Sequence, residues 1–97
     1  MARGYNAPMD ALPGIELVEE GIRDLARGAL TPAACLVSLG APRLRTLGWS
    51  MPEPVIPDAE HRLYALLARE DPDSAHARYN ALVRRLVSYE RAAACAR

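Results

Sequence analysis

Between Ile15 and Arg27 the apolar residues Ile15, Val18, Ile22, Leu25 and Ala26 return every third or fourth position, and the polar residues between them fall on the other side of a helical turn. Gly28 follows where such a helix stops. Thr31 and Pro32 then set an N-cap residue ahead of a proline at the first helical position, and the run AACLVSL, residues 33–39, reads as a second helix closed by Gly40. Its residues are apolar almost all round, so it belongs inside. Residues 41–47 add one or two turns before Gly48. Within residues 49–57, Pro52, Pro54 and Pro57 forbid a regular helix and favour extended polyproline geometry. An exposed Trp49 beside Met51, Val55 and Ile56 would leave an apolar patch, so this proline-rich stretch is expected to be an ordered strap pressed onto the core.

Asp58 stands as a capping residue for a helix running to about Glu70, with Leu63, Leu66 and Leu67 on one face. DPDS, residues 71–74, turns the chain tightly and offers further capping side chains. The longest helix follows, from about Ala75 to Cys95, with Ala75, Tyr79, Leu82, Leu86, Tyr89 and Ala93 as its apolar stripe. No stretch alternates as a strand would, and no internal repeat is present. The expected fold is all-α: a small bundle of four to five helices with a proline-rich strap at 49–57 and a C-terminal antiparallel helical hairpin. Residues 1–97 form one domain in this reading, with 1–11 a loosely ordered N-terminal segment.

The hydrophobic share of 51% and the mixed charge exclude wholesale disorder, and no apolar run approaches the roughly 20 residues a membrane-spanning helix needs. The opening stretch lacks the apolar core and small-residue cleavage site of a secretory signal. Cys35 and Cys95 stand far apart, outside any disulfide or zinc spacing, and are read as thiols in a reducing cytoplasm, Cys35 buried and inert in its apolar run. Every basic residue is arginine, and lysine, glutamine and phenylalanine are missing, as expected of a GC-rich bacterial genome. The same arginines would also suit bidentate pairing with carboxylate or phosphate.

Net charge is zero, with 12 basic and 12 acidic residues, but the charge is unevenly spread. Residues 75–97 hold Arg78, Arg84, Arg85, Arg91 and Arg97 against Glu90, whereas residues 1–30 hold Asp10, Glu16, Glu19, Glu20 and Asp24 against Arg3, Arg23 and Arg27. On a helix, Arg84 and Arg91 fall nearly opposite the apolar stripe, and Arg78 and Arg85 flank it. Divergent arginines, with only Asn80 beside His76 as polar readers and no excess positive charge, suit a protein partner better than a nucleic-acid groove. Glu16, Glu20 and Asp24 line one side of the first helix, next to a self-neutralising Glu19 and Arg23 pair. Such a row could take the Arg84 and Arg91 pair of a second copy, the reciprocal contact of a homodimer. A stripe of small residues, Ala77, Ala81, Ser88, Ala92 and Cys95, would let another helix approach.

Sharper motifs fail. A helix-turn-helix centred on Gly40 would have a second helix opened by Pro42 and ended by Gly48 after barely two turns, with Thr46 where a buried aliphatic is needed. His61 and His76 are single helical histidines, Asp73 is read as a cap three residues before His76, and there is no phosphate loop, carboxylate pair or metal spacing. No catalysis, cofactor, metal or small-molecule ligand is expected. The residues left with a candidate role are Arg84, Arg91, Asn80, His76, Glu16, Glu20 and Asp24, in a non-enzymatic protein-interaction module or regulatory subunit. The alternative is a nucleic-acid-binding regulator using the arginine-rich last helix.

Overall fold

The computed structural model describes residues 12–96, so the expectation for 1–11 lies outside the described residues. Five helices and no strand stand among them: α1 (Ile15–Ala26), α2 (Pro32–Leu39), α3 (Ala41–Thr46), α4 (Ala59–Glu70) and α5 (Ala75–Ala96). The all-α bundle with its strap and final hairpin is therefore the observed fold. No described helix is long and apolar enough to cross a membrane.

The centre of the bundle is α2, which touches each of the other four helices. Its six residues from Ala33 to Ser38 are all buried, the outcome its all-round apolar sequence demands. Thr31 caps it as expected, its Oγ1 accepting from the Ala34 N–H at 3.1 Å with Pro32 at the first turn. α1 lies against α2 along Val18, Gly21, Asp24 and Leu25, and stops at Gly28 in the left-handed region (φ 73°) that glycine adopts without steric cost. The shared core joins Val18, Leu36, Leu44, Leu63, Leu67, Leu86 and Tyr89.

The strap is ordered and pinned at both ends. Trp49 Nε1–H donates to the Tyr89 hydroxyl at 2.9 Å, with the two rings edge to face at 6.3 Å, and the Ile56 N–H donates to Ser38 Oγ at 3.0 Å. Trp49, Met51, Val55 and Ile56 pack partly buried on the core, so the expected pegs are in place. Within the strap the Glu53–Pro54 peptide bond is cis.

Capping by Asp58 also differs from expectation. Asp58 occupies the N-cap of α4 in the left-handed region (φ 55°), and its backbone carbonyl accepts from the Arg62 N–H while its side chain makes no capping bond. At the next turn the working side chain is Asp71, whose Oδ1 accepts from the Asp73 N–H at 3.1 Å. This asparagine-like turn brings α5 back beside α4, closed outside by an Arg78 to Glu70 ion pair at 2.8 Å. Tyr64 packs its ring near Tyr79 (5.8 Å) and His76 (6.4 Å) at the same end.

Candidate functional site

The helical spacing of α5 separates its arginines as the sequence suggests, and the fold gives them different fates. Arg85 reaches Glu16 on α1 at 3.1 Å and Arg78 reaches Glu70 on α4, both pairs exposed and each contributing at most about 1 kcal/mol. Arg84 and Arg91 point away from the bundle and have no ion-pair or hydrogen-bond partner among the described residues. With Asn80, Val83, Val87 and Ser88 they line a shallow groove of about 340 Å³ along the outside of α5. Val83 and Val87 are only partly buried, so two guanidinium groups flank an aliphatic ridge. Asn80 and His76 are exposed one turn apart, Nδ2 of the first 3.2 Å from Nε2 of the second. The small residues Ala77, Ala81, Ser88 and Cys95 are exposed beside them.

The acidic row on α1 divides three ways. Glu20 is exposed and Glu16 is engaged by Arg85, but Asp24 is buried, 6% exposed. Asp24 Oδ1 accepts from Arg27 Nη2 at 2.7 Å and Nε at 3.2 Å, and Oδ2 accepts from the Thr31 hydroxyl at 2.7 Å. Thr31 thus donates to α1 while capping α2, and Asp24 is a brace between the two helices, removed from any outer surface. The Thr31 and Arg27 hydrogen bonds hold its carboxyl below the ordinary value of 3.8, against the opposing effect of burial.

The residue that the sequence pattern did not single out is Glu90. It lies beside the apolar stripe, 7% exposed, and makes no hydrogen bond or ion pair among the described residues. Its groove, about 290 Å³, runs between α5 and the junction of α2 with α3, lined by Leu39, Gly40, Pro42, Arg43, Val83, Leu86 and Val87. Gly40 makes the space: a Cβ there would stand 2.9 Å from Leu86 Cδ2 and 3.0 Å from Glu90 Oε2. Burial pushes the Glu90 carboxyl above its ordinary 4.5, and the exposed Arg43 at the rim pulls only partly the other way. No periodicity could have marked this residue, because its isolation depends on which helix end covers it.

The two carboxylates act on stability in opposite pH ranges. The lowered pKa of Asp24 gives stability that is present above about 3.8 and lost as pH falls through the folded-state value. Asp24→Asn is expected to lose about 2 kcal/mol at neutral pH, because charged hydrogen bonds go, and to flatten the acid limb of a denaturation profile. The raised pKa of Glu90 makes stability fall as pH rises from 4.5 through its folded-state value. Glu90→Gln removes that slope and is expected to stabilise by on the order of 1 kcal/mol at pH 7, read as an upward shift in the urea midpoint.

His61 and His76 are both exposed, and no group of three histidine, cysteine or acidic side chains among the described residues could hold a metal. Cys35 is fully buried with its thiol pushed up by desolvation, which Arg62 only partly counters, and Cys95 is exposed. α3 is six residues long with Leu44 buried, and only Gly40 separates it from α2. Searches for a matching family model, a similar curated protein and a similar solved structure find none, so the surface of α5 is read from its own residues.

Proposed function

We propose that this chain is a non-enzymatic protein-interaction module that binds an acidic protein surface through the outer face of α5. The observation that carries the reading is the pair Arg84 and Arg91, left without partners among the described residues beside the ridge of Val83 and Val87 while their neighbours Arg78 and Arg85 are neutralised within the bundle. Arginines framing a small aliphatic patch combine orientation by charge with affinity from apolar burial. Asn80 and His76 extend the same face. The partner is a larger protein or a second copy, met in a reducing cytoplasm. For a second copy, Glu19 and Glu20 are the exposed carboxylates of α1 left to receive the arginines, since Asp24 is braced inside and Glu16 is paired.

The test compares wild type with Arg84→Glu/Arg91→Glu, capturing partners from a lysate of the source cells and measuring self-association by sedimentation. Both substitutions are exposed, so far-ultraviolet circular dichroism should be unchanged while association is lost. A captured partner that stays with the double variant, or no association of any kind, overturns the proposal. Fluorescence anisotropy with duplex DNA and RNA at physiological salt should show only weak, sequence-independent binding. Submicromolar selective binding would favour the nucleic-acid regulator instead.

A further inference from the structure

We infer that the groove between α5 and the α2–α3 junction is a second contact point on the interaction face, a receptor for one basic side chain of the partner, with Glu90 as its anchor. This rests on the reading of α5 as an interaction face, because the groove shares Val83 and Val87 with the arginine-flanked surface next to it.

Three observations carry it. Glu90 is more than nine-tenths buried and has no donor among the described residues, although the ordinary solution for a buried carboxylate is two or more hydrogen bonds or an ion pair. Its carboxylate borders a groove open to solvent, so it is within reach of a group from outside. The walls are aliphatic, with Leu39, Pro42, Val83 and Val87 placed to cover the methylenes of a long side chain while its end meets the carboxylate. A guanidinium or ammonium on an aliphatic stem matches both parts. A carboxylate ligand would be repelled, and a purely apolar one would leave Glu90 without a donor. A partner helix lying on α5 would then present a basic residue to Glu90 on one edge and acidic residues to Arg84 and Arg91 on the other, with aliphatic residues between.

The rim residue Arg43 discriminates this from a loose intramolecular pair. It is exposed, and no ion pair joins it to Glu90, so it is a like charge that an incoming cation must pass. Removing it should help binding if the groove receives a cation from outside.

The experiment is a two-dimensional amide NMR titration of the full chain. The probes are n-butylguanidinium, N-acetyl-arginine N-methylamide and neutral n-butylurea. Both cations should shift the amides of Gly40, Val83, Val87 and Glu90, and butylurea should not. Glu90→Gln should weaken cation binding about tenfold or more, Gly40→Ala should abolish it by filling the groove, and Arg43→Ala should tighten it about threefold. Capped arginine binding at least as tightly as butylguanidinium shows that the groove accepts the side chain with its peptide backbone attached; loss of binding for the capped arginine alone denies that a partner's side chain is its ligand. Shifts scattered over the surface, binding retained in Glu90→Gln, or equal binding of butylurea would overturn the inference. The probes report on Glu90 alone, so this result and the capture result for the Arg84 and Arg91 reversal can fail separately.

Discussion

Gly21→Ala should destabilise the protein by about 2 kcal/mol or more, although alanine is the better helix former by about 1 kcal/mol. Gly21 is the point where α1 and α2 come closest. A Cβ there would overlap the carbonyl oxygen of Ala33, stand 2.6 Å from Val37 Cγ1 and lie 3.0 Å from the Ala33 carbonyl carbon. A side-chain tip could rotate away, but a helix carbonyl cannot. Relief requires α2 to move, and α2 carries the buried run from Ala33 to Ser38 against every other helix. A chain of this length has about 5–15 kcal/mol in total, so the loss is a large share of it. Urea denaturation measures it directly. An unchanged or raised midpoint would show that the two helices are not locked at this crossing. Gly28→Ala is the contrast: nothing lies near its Cβ, so only the cost of the left-handed backbone remains.

The second large effect is expected at Tyr89, the largest fully buried side chain. Its ring sits in the core, its hydroxyl accepts from Trp49, and its Cβ lies 3.3 Å from where a side chain on Gly14 would begin. Tyr89→Ala removes the filling of the space between α5, the strap and the start of α1, a loss of about 3–5 kcal/mol. Tyr89→Phe keeps the ring and deletes only the hydrogen bond, leaving the half-buried indole N–H without its acceptor, at about 1 kcal/mol. Trp49 reports on both. Its emission should move to longer wavelength in the folded Tyr89→Ala protein as the strap loosens and change little in Tyr89→Phe. Equal melting temperatures for the two variants would mean that the ring, as distinct from the hydroxyl, contributes nothing.

Helix positions were legible because their signals are local. Thr31 caps α2 through an amide three residues on, Pro32 fits a first turn that has no need of its N–H, and Gly28 and Gly48 adopt the positive φ that ends a helix. The stripe of α5 was legible for the same reason, since helical geometry alone sets Tyr89 and Leu86 on one side and Arg84 and Arg91 on the other. Asp58 marks the boundary of that logic: its identity signals a helix start, but the left-handed backbone it adopts supplies a carbonyl in place of the side-chain cap.

What the sequence could not decide was which charges remain outside. Glu16, Glu20 and Asp24 are equivalent on the α1 helix by itself, and only the approach of α2 turns Asp24 into a braced, buried carboxylate while α5 takes Glu16. Glu90 is likewise an ordinary acidic residue among the arginines of α5 until the α2–α3 junction closes over it with a glycine at the contact. A helix face is fixed by backbone geometry within a few residues, but the burial and pairing of a charge depend on atoms from elements distant in the chain, and for Asp24 and Glu90 those atoms arrive only with tertiary packing.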